Sequence, residues 1–516
     1  MTLGRLFELC PPDRLVTPDS PWRDRVVVDL EFDSRQAGPD TVFFALSGTH
    51  TDGHGFLPEV AALGCRAVVV RELPSVLHLD TVYAVVADPR FSLSSFSAAF
   101  FGNPSRELLV IGVTGTDGKS STVSFIHQLL TLSGEKAGFF STVDWSAGGE
   151  IQPNLGRQST PEAPQIHRML RQMVDAGCRF AVIESTSHGL SPLTNRLGDV
   201  CCAGAVFTNV TLEHLEFHGT VEQYRQDKAR IFAALLRGRP GAFGVVNLDD
   251  PHHQLFIDAA QTAPVKTYSL KHKADLSIRS LIEEPDGLVL DIAEQASGRS
   301  QRCRLGLPGR FNAENLLAAL LAASSALTLS GRPTSPLDLV PLVGRLKPIE
   351  GRMAPVRAGQ AFAVVVDYAH TPGAFEALLP AIKAVTPGRV IVVFGSGGER
   401  DREKRPLQGA LADRWADFVV LTDEDPRLEA SEQILADIEK GLSTKKEGEG
   451  YWKITPRRQA LRHAFALAKP GDTVLLLGKG HEKTLVTAAG SQPWNEHKVA
   501  CEVLGELLQE TKAASR

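Results

Sequence analysis

Short apolar runs that stop on a cluster of polar or glycine residues recur along this chain, and that alternation predicts most of its strands. Residues 26–30, 42–46, 67–70 and 82–86 are such runs in the first hundred positions. Residues 108–113, 180–183, 205–207 and 244–247 come next, and 363–366, 390–394, 418–421 and 474–477 repeat the pattern near the end. Between runs, apolar residues fall at helical spacing: after 108–113, Val123, Ile126 and Leu130 share a helix face until Gly134 supplies a stop. Strands alternating with helices predict an α/β fold with parallel sheets. In such sheets ligands lie beyond the carboxyl ends of the strands.

The polar residues at the end of each run are therefore the candidate chemistry. The run 180–183 leads to Glu184 and Ser185-Thr186-Ser187-His188. The run 205–207 leads to Thr208-Asn209, then Glu213-His214, His218 and a charged helical stretch containing Lys228. Residues 309–315, GRFNAEN, open a helix rich in Leu and Ala. Near the end, the runs lead to Asp367-Tyr368-Ala369-His370, to GSGGERDR at 395–402, to TDEDPR at 422–427 and to GKGHE at 478–482. The Pro/Gly-rich stretch 331–348 reads as part of a hinge or linker, 445–450 as a solvated loop and 47–55 as a surface loop.

The run 108–113 carries the most specific signal. It breaks into Thr114-Gly115-Thr116-Asp117-Gly118-Lys119-Ser120-Ser121 and then a helix. Strand, glycine turn and helix form a phosphate cradle: the glycines let backbone amides converge on an anion, and the helix start adds partial positive charge. Lys119 can span two phosphates, and Ser120 can offer its hydroxyl to a magnesium ion. Val113 stands where the general P-loop pattern has its first glycine.

Bulk properties narrow the partners. At 516 residues the chain is too long for one core, which suggests three domains, at 1–105, 106–335 and 336–516. With a net charge of −5 and no long run of Lys or Arg, a nucleic-acid partner is not expected. Seven scattered cysteines without a C-x-x-C pair argue for a reducing compartment and against a zinc site. No apolar run reaches the roughly 18 residues of a membrane span, so a cytoplasmic protein is expected.

Taken in order, T-G-T-D-G-K-S-S, E-S-T-S-H, E-H-L-E-F-H, N-A-E-N, D-Y-A-H-T-P, G-G-E-R-D-R-E-K-R-P and G-K-G-H-E resemble the Mur ligases of peptidoglycan synthesis, and among them those that add the third amino acid. The resemblance spans 33–482. It implies a UDP-substrate-binding domain, a central P-loop ATPase α/β domain and a C-terminal Rossmann-like domain. The implied reaction joins UDP-N-acetylmuramoyl-L-alanyl-D-glutamate to an amino acid through an acyl phosphate, with ATP cleaved to ADP; a monomer is expected.

Residue by residue, the resemblance implies that Gly115, Thr116, Asp117, Gly118, Lys119, Ser120, Ser121, Asn312, Asn315, Arg352 and Asp367 bind ATP. Lys119, Glu184, His214 and Lys228 are implied to be catalytic. Ser120, Glu184, His214 and Lys228, the last as a carbamate, are implied to hold Mg2+. Ser34, Ser159, Thr160, Thr186 and Arg196 are implied on the UDP-substrate side; Ser159 stands where the family has threonine, and Thr186 where it has serine. The amino-acid site would comprise Arg400, Glu424, Asp425, Pro426, Arg427, Gly478 and Glu482. The family's D-N-P-R accompanies diaminopimelate. Here Glu424 and Asp425 replace its first two residues while Arg427 is kept, which favours diaminopimelate and leaves L-lysine and L-ornithine open. Two alternatives are a sister ligase such as folylpolyglutamate synthetase and a P-loop nucleotide switch that is not a ligase.

Overall fold

The computed structural model describes residues 1–48, 51–154, 156, 158–211, 215–235, 240–284 and 287–514. Its contacts divide the chain into two compact units, Met1–Leu276 with Leu317–Leu339, and Ser277–Leu316 with Val340–Arg516.

The first unit holds two sheets. In the smaller, β1 (Arg14–Val16), β2 (Asp29–Glu31), β3 (Thr41–Phe44), β4 (Ala67–Val70) and β5 (Val82–Val85) lie in the order β1-β5-β4-β3-β2. All neighbours are parallel except β1 and β5. The run 26–30 yields only the short edge strand β2. Val26, Val27 and Val28 precede the strand, and there Val26 and Val28 are 57% and 61% exposed while Val27 is buried.

The larger sheet of this unit comprises β6 (Leu109–Thr114), β7 (Ala137–Phe140), β8 (Asp144–Ser146), β9 (Gln152–Pro153), β10 (Phe180–Glu184), β11 (Cys202–Phe207), β12 (Phe243–Asn247) and β13 (Val265–Ser269). Their order is β13-β12-β11-β6-β10-β7-β8-β9, parallel from β13 to β7. Every residue of β6, β10, β11 and β12 is buried, as the unbroken apolar runs require. Each such Val or Ile contributes roughly 1.5–3 kcal/mol relative to exposure. Strand β6 lies between β10 and β11, so the loops after all three open at one edge. Arg168 ties the two sheets together, donating to both carboxylate oxygens of Asp29 at 2.5 Å.

In the second unit, β14 (Leu276–Glu284) is followed by β15 (Gly287–Glu294) and β16 (Ser300–Leu305), the latter two pairing antiparallel with Leu288 opposite Leu305. A six-stranded sheet comes after them: β17 (Ala354–Pro355), β18 (Ala363–Asp367), β19 (Val390–Phe394), β20 (Phe418–Leu421), β21 (Tyr451–Lys453) and β22 (Thr473–Leu477), in the order β17-β18-β22-β19-β20-β21. Alternate residues feed two cores. Val392, Phe394, Leu421 and Leu477 enter one, while Val364, Val366, Val393 and Leu476 enter the other. A two-stranded hairpin, β23 (Thr484–Thr487) and β24 (Gly490–Pro493), completes the strands.

Two sequence expectations change. The stretch read as a linker contains a 3-10 helix, Pro336–Arg345, whose Leu337, Val340 and Val343 are buried. Their spacing of three matches three residues per turn, a period that prolines and glycines conceal. The loop 445–450 is not wholly solvated either: the Lys445 ammonium donates to the Asp413 carbonyl at 2.5 Å, and its side chain is 11% exposed. The seven cysteines are free thiols. Among the described residues no helix is long and apolar enough to cross a membrane.

Candidate active site

Strand β6 ends at Thr114, and the glycine turn leads into the helix Lys119–Leu132. The turn needs its glycines. Gly115 has φ 151°, and a Cβ there would lie 1.8 Å from Thr208 Oγ1; Gly118 starts the helix with φ 79°, a region that L side chains avoid. The loop after β11 braces the turn: the Thr116 and Asp117 amides donate to the Asn209 carbonyl and Oδ1 at 2.8 and 2.9 Å. Thr208 Oγ1 donates to the Asp117 carbonyl at 2.7 Å, and Thr116 Oγ1 lies 3.0 Å from the Tyr224 hydroxyl.

Two ammonium groups converge on this turn. Lys119 Nζ donates to the Thr116 carbonyl at 2.7 Å, and Lys228 Nζ to the Gly115 carbonyl at 2.5 Å. Lys228 is buried, with its ammonium 4.5 Å from the centre of the Tyr224 ring. Sequence spacing alone makes Lys228 a solvated helix lysine; the structure puts it inside.

Glu184, at the end of β10, organises the other side. Its Oε2 accepts from Ser120 Oγ at 2.8 Å and from the Thr142 amide at 2.9 Å, and its Oε1 accepts from Thr142 Oγ1 at 2.8 Å. Thr142 Oγ1 also lies 2.7 Å from Ser159 Oγ. Thr160 Oγ1 donates to the Glu184 carbonyl at 2.9 Å and accepts from the Thr186 amide at 3.0 Å. Arg196 reaches the Thr160 carbonyl at 3.0 Å and Glu162 at 2.9 Å, so the carboxylate it meets belongs to this chain. Burial lowers the Arg196 pKa, and Glu162 opposes that shift.

One hydrogen-bonded cluster thus joins Ser120, Ser159, Thr160, Thr186, Glu184 and Arg196 beside the cradle, with Ser121 half-buried in the first helical turn. Ser34 lies apart from it, on the turn Ser34–Gln36 after β2, where Asp33 accepts from the Arg35 amide and guanidinium. His214 lies outside the described residues. Thr142 and Tyr224 are not evident from sequence; the available signal for Thr142 is its place two residues beyond the apolar run at β7. Ser120 and Glu184 present hard oxygens of the kind that suit Mg2+.

In the second unit Asn312 is buried and donates from Nδ2 to the Pro308 carbonyl at 2.8 Å, and Asn315, three residues on, is also buried. Asp367 accepts from the Met353 and Ala369 amides at 2.8 and 2.7 Å. The Arg352 guanidinium lies over the Tyr368 ring at 4.7 Å, and His481 packs 4.9 Å from the same ring. Burial, aided by Arg352, lowers the His481 pKa to about 3.

The strand ends of β19, β20 and β22 gather three carboxylates. Lys479 Nζ, fully buried, donates to Asp425 at 2.8 Å and to Glu482 at 2.6 Å. Asp425 also accepts from the Val486 amide at 2.9 Å, and its carbonyl from the Gly398 amide at 2.8 Å. Glu424 Oε2 is buried with no hydrogen-bond donor. It faces Gly478, where a Cβ would lie 2.7 Å away and whose φ of 96° L side chains rarely adopt. Burial pushes the Glu424 carboxyl up, against the pull of Lys404, Arg457 and Lys479. Burial likewise raises Glu482. Arg427, which follows Pro426, has φ 57° and a buried Nε without an acceptor, while Arg400 is exposed. Lys479 and Lys404 belong to this pocket too, though neither stands out in the sequence.

Residues 113–323 match the Mur ligase middle domain, and 351–480 match the Mur ligase glutamate ligase domain. The chain is also 43% identical over 514 residues to UDP-N-acetylmuramyl-tripeptide synthetase of Roseiflexus sp. (strain RS-1), covering 97% of this chain and 98% of that one. The chain belongs to the Mur ligase family. As a Mur ligase of the tripeptide-synthetase type it is an ATP-dependent peptide ligase of peptidoglycan precursor synthesis. It is 38% identical over 461 residues to UDP-N-acetylmuramoyl-L-alanyl-D-glutamate--2,6-diaminopimelate ligase of Geobacillus thermodenitrificans (strain NG80-2), covering 88% of this chain and 90% of that one. A solved structure of a ligase of that name superposes with a TM-score of 0.67 at 31% identity, covering 99% of this chain and all of the other.

Proposed function

We propose that this Mur ligase joins a dibasic amino acid to UDP-N-acetylmuramoyl-L-alanyl-D-glutamate, using ATP to convert the substrate carboxylate to an acyl phosphate that the incoming amine attacks. The observation that carries the reading is the cradle joined through Ser120 to Glu184, with two lysines on the turn. Phosphoryl transfer between anions needs converging positive charge and positioned oxygens more than it needs a base. Lys119 and the turn amides hold the phosphates. Ser120 and Glu184 would hold Mg2+, together with His214 and with Lys228 once its amine has added CO2 and released a proton to become a carbamate. The metal would supply charge neutralisation at the phosphates. Ser159, Thr160 and Thr186 orient the substrate carboxyl beside this group, with Arg196 fixing Thr160 through its carbonyl, and Ser34 contacts the uridine nucleotide. Asn312, Asn315, Arg352 and Asp367 are the remaining ATP residues of this reading.

For the third amino acid, Arg427 supports diaminopimelate, whose distal carboxylate a guanidinium can bind through two hydrogen bonds. The unpartnered Glu424 oxygen supports a second reading, L-ornithine or L-lysine, whose terminal ammonium would meet it. Asp425 is a weaker selector than its sequence suggests, since Lys479 and the Val486 amide already hold it. The test is a product assay with ATP, the nucleotide dipeptide and a panel of diaminopimelate, lysine, ornithine and neutral amino acids. A tripeptide containing a dibasic residue is expected. Products from neutral amino acids alone, or ligation only to a folate acceptor, would overturn the reading.

A further inference from the structure

Lys479, the second residue of G-K-G-H-E, is the only fully buried ammonium of the described carboxylate pocket. Its Nζ bridges Asp425 and Glu482, at 2.8 and 2.6 Å, from a side chain with no exposed surface. Asp425 and Glu482 come from the ends of different strands, β20 and β22, so their shared contact with Lys479 fixes one strand end against the other. It also decides which carboxylates are spoken for. One ammonium is shared by two of them, leaving the trio of Lys479, Asp425 and Glu482 one negative charge, and Glu424 keeps a buried oxygen without a donor.

We propose that Lys479 is a positioning residue that sets amino-acid selectivity: by holding Asp425 and Glu482 it keeps the pocket from rejecting a second substrate carboxylate. The inference rests on the reading that this pocket takes the third amino acid. Without the ammonium, Asp425 and Glu482 face each other and the substrate uncompensated. A distal carboxylate is then repelled, whereas a terminal ammonium is not. It donates to the two carboxylates and acts through them.

The experiment compares Lys479→Met, Asp425→Asn and the double variant Lys479→Met with Asp425→Asn. Asparagine keeps an acceptor for the Val486 amide while removing the charge. Diaminopimelate and ornithine are each measured by KM at saturating ATP and nucleotide dipeptide, or by inhibition constant where one is not turned over. The expected result is a KM ratio of diaminopimelate to ornithine about tenfold higher in Lys479→Met than in the wild type. The double variant should return to within about threefold, because its net charge is again that of the wild type. Equal loss for both amino acids, or a double variant no better than the single, would overturn the proposal. If Lys479→Met does not fold, Asp425→Asn carries the test: with Lys479 kept and one carboxylate charge removed, the ratio of diaminopimelate to ornithine KM should fall about fivefold, and an unchanged or raised ratio overturns the proposal. A wild-type enzyme that ligates no dibasic amino acid would instead fail the reading of the pocket, so the two failures are told apart.

Discussion

Around the cradle of the first unit every oxygen of Glu184 meets a donor, whereas the strand ends of the second unit's sheet leave a Glu424 oxygen buried with none. The two regions share a grammar, with short parallel strands ending in loaded loops, but they differ in how charge is left. Near the cradle, hydroxyls and amides satisfy the carboxylate, and the lysines rest on backbone carbonyls of the turn. On the proposed reading such groups are positioned in advance for phosphates, whose charge is the same whatever amino acid is joined. In the second unit a buried Glu424 carboxylate oxygen and a buried Arg427 guanidinium Nε lack partners. A buried polar atom without a partner costs roughly 1–3 kcal/mol, a cost that a ligand of the right charge can relieve. On the proposed reading, selectivity belongs where the pairing is incomplete.

The largest effect expected from breaking this contrast is at Lys228. Lys228→Ala should be nearly inactive, because a buried group on the turn is lost, and short carboxylates such as formate should restore part of the rate by standing in for the carbamate. Full activity of Lys228→Ala at low bicarbonate, in a steady-state assay, would remove that role.

In the second unit the expected loss is selective. Arg427→Ala should cost diaminopimelate use about tenfold more than lysine use in kcat/KM, since a paired guanidinium is lost only for the substrate with a second carboxylate. An equal loss for both amino acids would take Arg427 out of side-chain selection.

The smallest effect concerns stability. His481 is held neutral by burial, with its pKa lowered to about 3. The unfolded chain binds this proton near pH 6.5 and the folded chain does not, so the stability is present above about 6.5 and is lost as pH falls toward 3. His481→Gln should flatten the pH dependence of unfolding, followed by denaturant titration, within that window, and an unchanged slope would contradict it.

Legibility in the sequence tracks the same contrast. The cradle, Glu184 and the strands that carry them are readable because the chemistry sits in one contiguous turn and in unbroken apolar runs. The brace from Asn209, the donor Thr142 and the placement of Lys228 are not, since each depends on loops that meet only once β6 lies between β10 and β11. The carboxylate pocket is legible as residues but not in its charge: Asp425 stands out as the substituted position, yet Lys479, 54 positions away in sequence, neutralises it and leaves Glu424 unpaired. The edge strand β2 and the helix Pro336–Arg345 are hidden by half-exposed valines and by prolines.

The division of labour is tested most directly by trapping the acyl phosphate. With ATP, Mg2+ and nucleotide dipeptide but no amino acid, borohydride reduction should convert the activated carboxyl to an alcohol, scored by mass. The wild type and Glu424→Gln should give equal yields, while Lys119→Ala, folded by circular dichroism, gives none. Trapping in Lys119→Ala, or its loss in Glu424→Gln, would contradict the assignment of phosphoryl transfer to the cradle and of selection to the carboxylate pocket.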